Sequence, residues 1–226
     1  MEPDVPAFAA RRTSATAPKN LPAVLEGLKR AVPEPRCELD WKTPFELLIA
    51  TQLSAQSTDV MVNKVTPELF RRWPDAYSLA VAEPSEVELV LRPTGFFRQK
   101  ARHAIRSAQL LVEHHGGAVP ARLDALIALP GVAPKTANVV LGTAFGIQSG
   151  VTVDTHVFRV THRWGWHDEK TAEKVEPLLM SWLPVAEWSD FGHRAVLFGR
   201  YTCVARKPRC EGCPIRPVCP RIDVSA

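Results

Sequence analysis

Apolar side chains recur at three- and four-residue intervals along most of the chain, the pattern of amphipathic helices. Leu21, Val24, Leu25, Leu28 and Val32 fall on one face and predict a helix over 21–32. Pro44 suits a first helical turn and opens FELLIATQLSA, a run apolar almost all round, which predicts a buried central helix. Ser57, Thr58 and Asp59 offer N-cap oxygens for a helix to about Arg72. Shorter helices are expected at 74–81 and 84–91, and a long amphipathic one over 98–115, stopped by Gly116-Gly117. Further helices are expected at 121–128, 135–145, 169–183 and 189–203. One stretch departs from this period: Val151 to Phe158 alternates like a strand. No partner strand is in view, and a lone strand leaves its backbone groups unsatisfied. The stretch therefore reads as an extended entry to a helix beginning near Thr155, with Thr155 as its cap. The fold class predicted is all-α.

Composition adds limits rather than a function. Of 226 residues, 46% are hydrophobic and 23% charged, enough apolar mass for one or two ordinary cores. A net charge of +4 permits a polyanionic partner without requiring one. No run approaches the roughly 20 apolar residues of a membrane span, so no membrane association is expected. Residues 1–20, rich in Pro, Ala and Ser, read as a flexible tail without a secretory core. A cytoplasmic location follows, and in that reducing compartment cysteines are expected as metal ligands rather than disulfides.

Four cysteines, Cys203, Cys210, Cys213 and Cys219, follow the spacing C-x6-C-x2-C-x5-C on a stretch broken by Pro208, Gly212, Pro214 and Pro217. Thiolates that converge in this way suit an iron–sulfur cluster or zinc. Zinc sites usually pair two short Cys motifs across a longer gap, whereas here one close pair has wider gaps on each side. That favours a 4Fe–4S cluster, with zinc and a pair of disulfides as alternatives. Arg200, Arg206, Lys207, Arg209, Arg216 and Arg221 surround the motif with Glu211 as the single acid, a charge balance suited to phosphate contact. Cys37 is left over and reads as an ordinary, at least half-buried thiol.

Leu129-Pro-Gly-Val-Ala-Pro-Lys-Thr-Ala-Asn-Val-Val140 reads as helix, tight turn, helix. Such a turn presents backbone N–H groups to an anion. Val153-Asp154-Thr155-His156-Val157-Phe158-Arg159 follows. Together with PFELLIATQLSAQSTDVMVNKVT from Pro44 and GRYTCVARKPRCEGCP from Gly199, these motifs resemble the endonuclease III family, iron–sulfur DNA glycosylases of the helix–hairpin–helix superfamily. The resemblance runs over about residues 21–222. It implies a two-lobed fold, with a six-helix domain over 37–147 and a discontinuous iron–sulfur cluster domain from 21–36 and 148–226.

The resemblance also implies a bifunctional glycosylase and AP lyase that removes oxidised pyrimidines in base excision repair. Lys135 matches the family's catalytic lysine and Asp154 its catalytic aspartate. A carboxylate stabilises the positive charge that builds on the sugar as the base departs. An amine can form a Schiff base at C1′, which a hydroxyl cannot. The implied partner is double-stranded DNA containing damaged bases or abasic sites, bound by a monomer that is nucleoid-associated when it acts. Reaching a stacked base requires flipping it out, with Gln56 and Phe96 filling the gap. Gly131, Ala133 and Thr136 belong to the phosphate-facing hairpin. His156, Arg159, Arg206 and Lys207 are further expected DNA contacts.

Two departures stand out. Ala133 and Pro134 replace the second glycine and a basic residue of the family hairpin, which is expected to cost backbone freedom and one N–H. The loop between Phe145 and Asp154 is one residue longer than the family spacing. These keep open an iron–sulfur DNA-binding module with weakened activity. A mismatch-directed glycosylase is the other alternative.

Overall fold

Eleven α-helices form the frame of the described residues, 15–224, in the computed structural model. They are α1 (Leu21–Ala31), α2 (Pro44–Leu53), α3 (Asp59–Arg72), α4 (Ala76–Ala80), α5 (Pro84–Leu91), α6 (Phe97–His115), α7 (Leu123–Ile127), α8 (Pro134–Phe145), α9 (Thr155–Arg163), α10 (Ala172–Trp182) and α11 (Trp188–Tyr201). No strand occurs among the described residues. The chain divides into two compact units, one of Cys37–Ile147 and one joining Met1–Arg36 to Gln148–Ala226.

In the Cys37–Ile147 unit, α2 is the central helix. Thr43 caps it by accepting the Glu46 N–H, and the Glu46 carboxylate accepts the Lys42 N–H in return. Every residue from Leu47 to Leu53 is buried, as is Phe45. Each leucine hidden there contributes about 1.5–3 kcal/mol over an exposed one. Helices α3, α6 and α8 pack around it. The long α6 lays small residues, Ala101, Ala104 and Ala108, into the core, and α4 and α5 approach closely along it. It ends at Gly116, whose φ of 57° is the left-handed conformation that glycine adopts without strain.

The second unit is built on tryptophan. Trp164 and Trp166 lie in a core with Val157, Val160, Phe191 and Phe198, and Trp166 stacks on Phe191 with centroids 5.9 Å apart. α1 joins this core through Leu21, Val24 and Leu28. The approach is close: a Cβ on Gly27 would lie 2.9 Å from Ile215 Cγ1. The strand-like alternation at 151–154 has a physical cause without any sheet. Val151 and Val153 are buried in the core, and the extended segment runs past Gly192 of α11.

Two expectations are corrected. The cap of α9 is Asp154, not Thr155: the Asp154 carboxylate accepts the N–H groups of His156 and Val157, each at 2.8 Å. A short acid at the N-cap reaches two orphan donors at once, and Thr155 is already inside the helix. Residues 1–14 of the expected flexible tail lie outside the described residues, but 15–20 are anchored. Trp182 donates to the Ala15 carbonyl, while Asn20 donates to the Trp164 and Val218 carbonyls and accepts from Trp166. Among the described residues no helix is long and apolar enough to cross a membrane.

Burial holds His156, His167 and His193 below the usual histidine pKa. His167 shows why: its Nδ1 accepts the Glu169 N–H, and its Nε2 faces the Thr161 hydroxyl. Protonation of Nδ1 would break the first contact. Because the folded values are depressed, the unfolded chain binds more protons once the pH falls below about 6.5. Stability should therefore be constant between pH 7 and pH 8 and decline as the pH drops below about 6.5. Urea midpoints measured from pH 8 to pH 5 check this.

Candidate functional site

The turn from α7 into α8 is closed by the Val132 N–H donating to the Leu129 carbonyl. Gly131 sits at φ 75°, and a Cβ there would come within 2.5 Å of His103 Nδ1 on α6. Only glycine satisfies both constraints. The turn is tied to the core by Gln52, whose buried Nε2 donates to the Pro130 carbonyl and to Ser107 Oγ, both at 2.8 Å. Ser107 also donates to Pro130 O at 3.3 Å.

Ala133 does not carry the backbone cost expected of it. It is the N-cap of α8 at φ −82°, ψ 163°, an extended conformation open to alanine and the one favoured before proline. Pro134 occupies the first helical position, where its missing N–H breaks no intrahelical bond. One potential anion donor is still absent from the turn. Lys135 is exposed on the next residue and enters no ion pair among the described residues. Thr136 is buried, so only its N–H belongs to the open first turn.

Two further expected residues of this unit share an unusual backbone. Gln56, in the turn after α2, has φ 53°, and Phe96, the N-cap of α6, has φ 45°. Both are exposed, Phe96 by 64%. A side chain in the left-handed region costs about 1–2 kcal/mol. An exposed phenyl ring held at that cost recovers little of it from packing. From Phe96 onward, Arg98, Arg102 and Arg106 occupy exposed positions of α6 at four-residue spacing. This basic stripe was not singled out from sequence, although its i, i+4 spacing was visible there.

Asp154 and the cysteines belong to the other unit. Asp154 Oδ1 is held by the two α9 N–H groups, while Oδ2 makes no hydrogen bond among the described residues. His156 lies beside it, with Arg159 Nη2 3.3 Å from its Nδ1. The His156 pKa is lowered mainly by burial; Asp154 opposes that shift and Arg159 adds to it. The Arg159 guanidinium turns inward, donating to the carbonyls of Gly199 at 2.8 Å and Cys203 at 3.2 Å. It links α9 to the cysteine loop. Arg206 and Lys207 are both exposed on that loop, and Lys207 is left-handed at φ 53°.

Cys203, Cys210, Cys213 and Cys219 are free thiols lining one pocket with Trp164, Phe198 and Val224. Among the described residues, no three His, Cys, Asp or Glu side chains form a site for a single metal ion. Burial raises the pKa of Cys213 and Cys219, and the neighbouring thiols raise them further. Four soft ligands gathered in one pocket, which Arg216 and Arg221 also line, fit a cationic iron–sulfur core, which would hold all four as thiolates. Arg163, which no sequence motif singled out, also lines the pocket.

The chain matches the family model described as HhH-GPD superfamily base excision DNA repair protein over residues 49–185. Endonuclease III of Synechocystis sp. is 47% identical over 198 residues, 88% of this chain and 90% of that protein. A solved non-covalent endonuclease III–DNA complex resembles it with a TM-score of 0.85 at 41% identity, over 90% of this chain and 95% of that one. A trapped endonuclease III–DNA covalent intermediate gives 0.85 at 40% identity, again over 90% and 95%.

Strain at position 96 is measurable without any ligand. Phe96→Gly should raise unfolding free energy by about 0.5–1 kcal/mol, the left-handed penalty less the entropy of a glycine. Phe96→Ala keeps the penalty and should show no gain in the same denaturant titration.

Proposed function

The chain belongs to the HhH-GPD superfamily of base excision DNA repair proteins, and on that footing we propose that it is a bifunctional DNA glycosylase and AP lyase with Lys135 as nucleophile and Asp154 as the essential carboxylate. The observation that carries this reading is Lys135 itself. It stands exposed on the first turn of α8, in a chain that matches a covalently trapped DNA complex along 90% of its length.

The chemistry follows from these two groups. As the N-glycosidic bond breaks, its electron pair leaves with the base, and the Asp154 carboxylate stabilises the cationic sugar. The Lys135 amine bonds to C1′ and loses a proton, and opening of the sugar ring yields an imine. The imine acidifies C2′. Loss of that proton expels the 3′ phosphate with the C–O electron pair, which cuts the strand. Water then releases Lys135.

DNA positions itself on the backbone N–H groups of the 131–136 turn and on Arg206 and Lys207. Phe96 and Gln56 fill the space vacated by the flipped nucleotide. His156 and Arg159 support Asp154 and the cysteine loop rather than reach for phosphate, because the Arg159 donors are directed at carbonyls. The Cys37–Ile147 unit, with the seven helices α2 to α8 rather than six, serves as the helix–hairpin–helix domain and the other unit as the cluster domain. A 4Fe–4S cluster on Cys203, Cys210, Cys213 and Cys219 would supply a rigid anchor for the loop that presents Arg206 and Lys207. Oxidised pyrimidines are the proposed substrates.

Borohydride reduction of the enzyme mixed with duplex DNA containing thymine glycol should leave a covalent protein–DNA adduct. Lys135→Ala should abolish it. An adduct that persists in that variant removes Lys135 from the mechanism, and no adduct with the parent chain favours a binding module.

Asp154 can be separated from its structural duty. Asparagine caps helices about as well as aspartate, so Asp154→Asn should hold stability within about 1 kcal/mol. Base removal should nonetheless fall on the order of 100- to 1,000-fold, the loss typical when one electrostatic stabiliser is removed. Single-turnover base release alongside thermal denaturation checks both halves.

A further inference from the structure

Arg163, the last residue of α9, is a buried cation at 5% exposure. Among the described residues no carboxylate lies within ion-pair distance of it. A buried charge without an opposite charge is strongly disfavoured, so its compensation has to be found. Its Nη1 donates to the Val204 carbonyl at 2.8 Å, the Cys203 carbonyl at 3.3 Å and Cys203 Sγ at 3.4 Å. Its Nη2 donates to the Ala205 carbonyl at 2.9 Å. At the other end of the motif, the Arg163 carbonyl lies 3.4 Å from Cys219 Sγ and accepts the Ile222 N–H. One residue thus touches the first and the last cysteine of the set.

We propose that Arg163 is the counter-cation of the metal centre, a positioning residue that sets its redox potential through charge and an N–H···S hydrogen bond. The inference rests on the 4Fe–4S reading of the four cysteines. Four thiolates outweigh the positive charge of the core, so the ligated centre is net negative and supplies the anion that Arg163 lacks. A cation and a hydrogen bond at a ligand sulfur stabilise the more electron-rich state. Oxidation of the core by one electron, with all four iron–thiolate bonds kept, is then harder than it would be without Arg163. A merely structural clamp would act through the three carbonyls and leave the potential alone.

The test is voltammetry of the iron-loaded full chain, with the electrode as electron acceptor, on the parent, Arg163→Gln and Arg163→Lys. Glutamine keeps a donor but removes the charge. Its oxidation equilibrium should shift at least tenfold toward the oxidised state, about 59 mV for one electron, and iron should be lost faster in air. Lysine restores the charge and should recover most of the shift. Unchanged potentials in both variants overturn the proposal. A second measurement needs no variant: the oxidised parent labelled with 15N-arginine should show guanidinium nitrogen coupling by pulsed electron paramagnetic resonance, and its absence overturns the proposal too. A parent chain that takes up zinc, or no iron, overturns the cluster reading itself and removes this inference with it.

Discussion

Both amide hydrogens of Gln52 are spent inside the core, one on Ser107 and one on the Pro130 carbonyl, and the turn that leads to Lys135 hangs from that anchorage. Pro130 lies inside the turn, next to Gly131, and five residues on stands Lys135. The same helix that holds the turn ends at Leu53 and leads to Gln56. A displacement of α2 would therefore move the lysine and the glutamine together. The arrangement has a cost, because Gln52 Oε1 is buried without a partner, a loss of about 1–3 kcal/mol. A leucine would fill the space without that loss. Only glutamine there also ties the turn to the core.

Strain is distributed in the same sense. The five left-handed non-glycine residues among the described ones, Gln56, Phe96, Lys207, Arg221 and Asp223, are all exposed, and Gln56 and Phe96 project an amide and an apolar group that satisfy nothing around them. Ala133, where strain was expected, has none. Folding free energy is thus spent at exposed positions, while the entry to α8 itself stays relaxed.

Hydrophobic period read the helices well because each buries a stripe, and α2 was recognisable because its apolar residues leave no polar face. Alternation at Val151 and Val153 was equally faithful to burial, yet it could not say whether the segment had a sheet neighbour. The choice of Asp154 over Thr155 as cap turned on a one-residue difference in where α9 begins, which propensity does not resolve. Gln52 and Arg163 were illegible for another reason. Their partners lie 78 and 40 residues away in sequence, and no local pattern distinguishes a glutamine or an arginine that will bond to a distant carbonyl or sulfur. Lys135 and the four cysteines stood out only through spacing and resemblance, since an exposed lysine and half-buried thiols carry no local signature.

Pro134 has a meaning beyond the N–H it lacks. Starting a helix is unfavourable because several dihedrals must be fixed before the first hydrogen bond forms. A proline at the first position arrives with φ already set, and it narrows the unfolded chain as well as the folded one. In the proposed function the first turn of α8 therefore meets DNA with less disorder left to lose, since a surface that is ordered beforehand gives up less entropy on contact. What the turn forfeits in one donor it recovers in readiness.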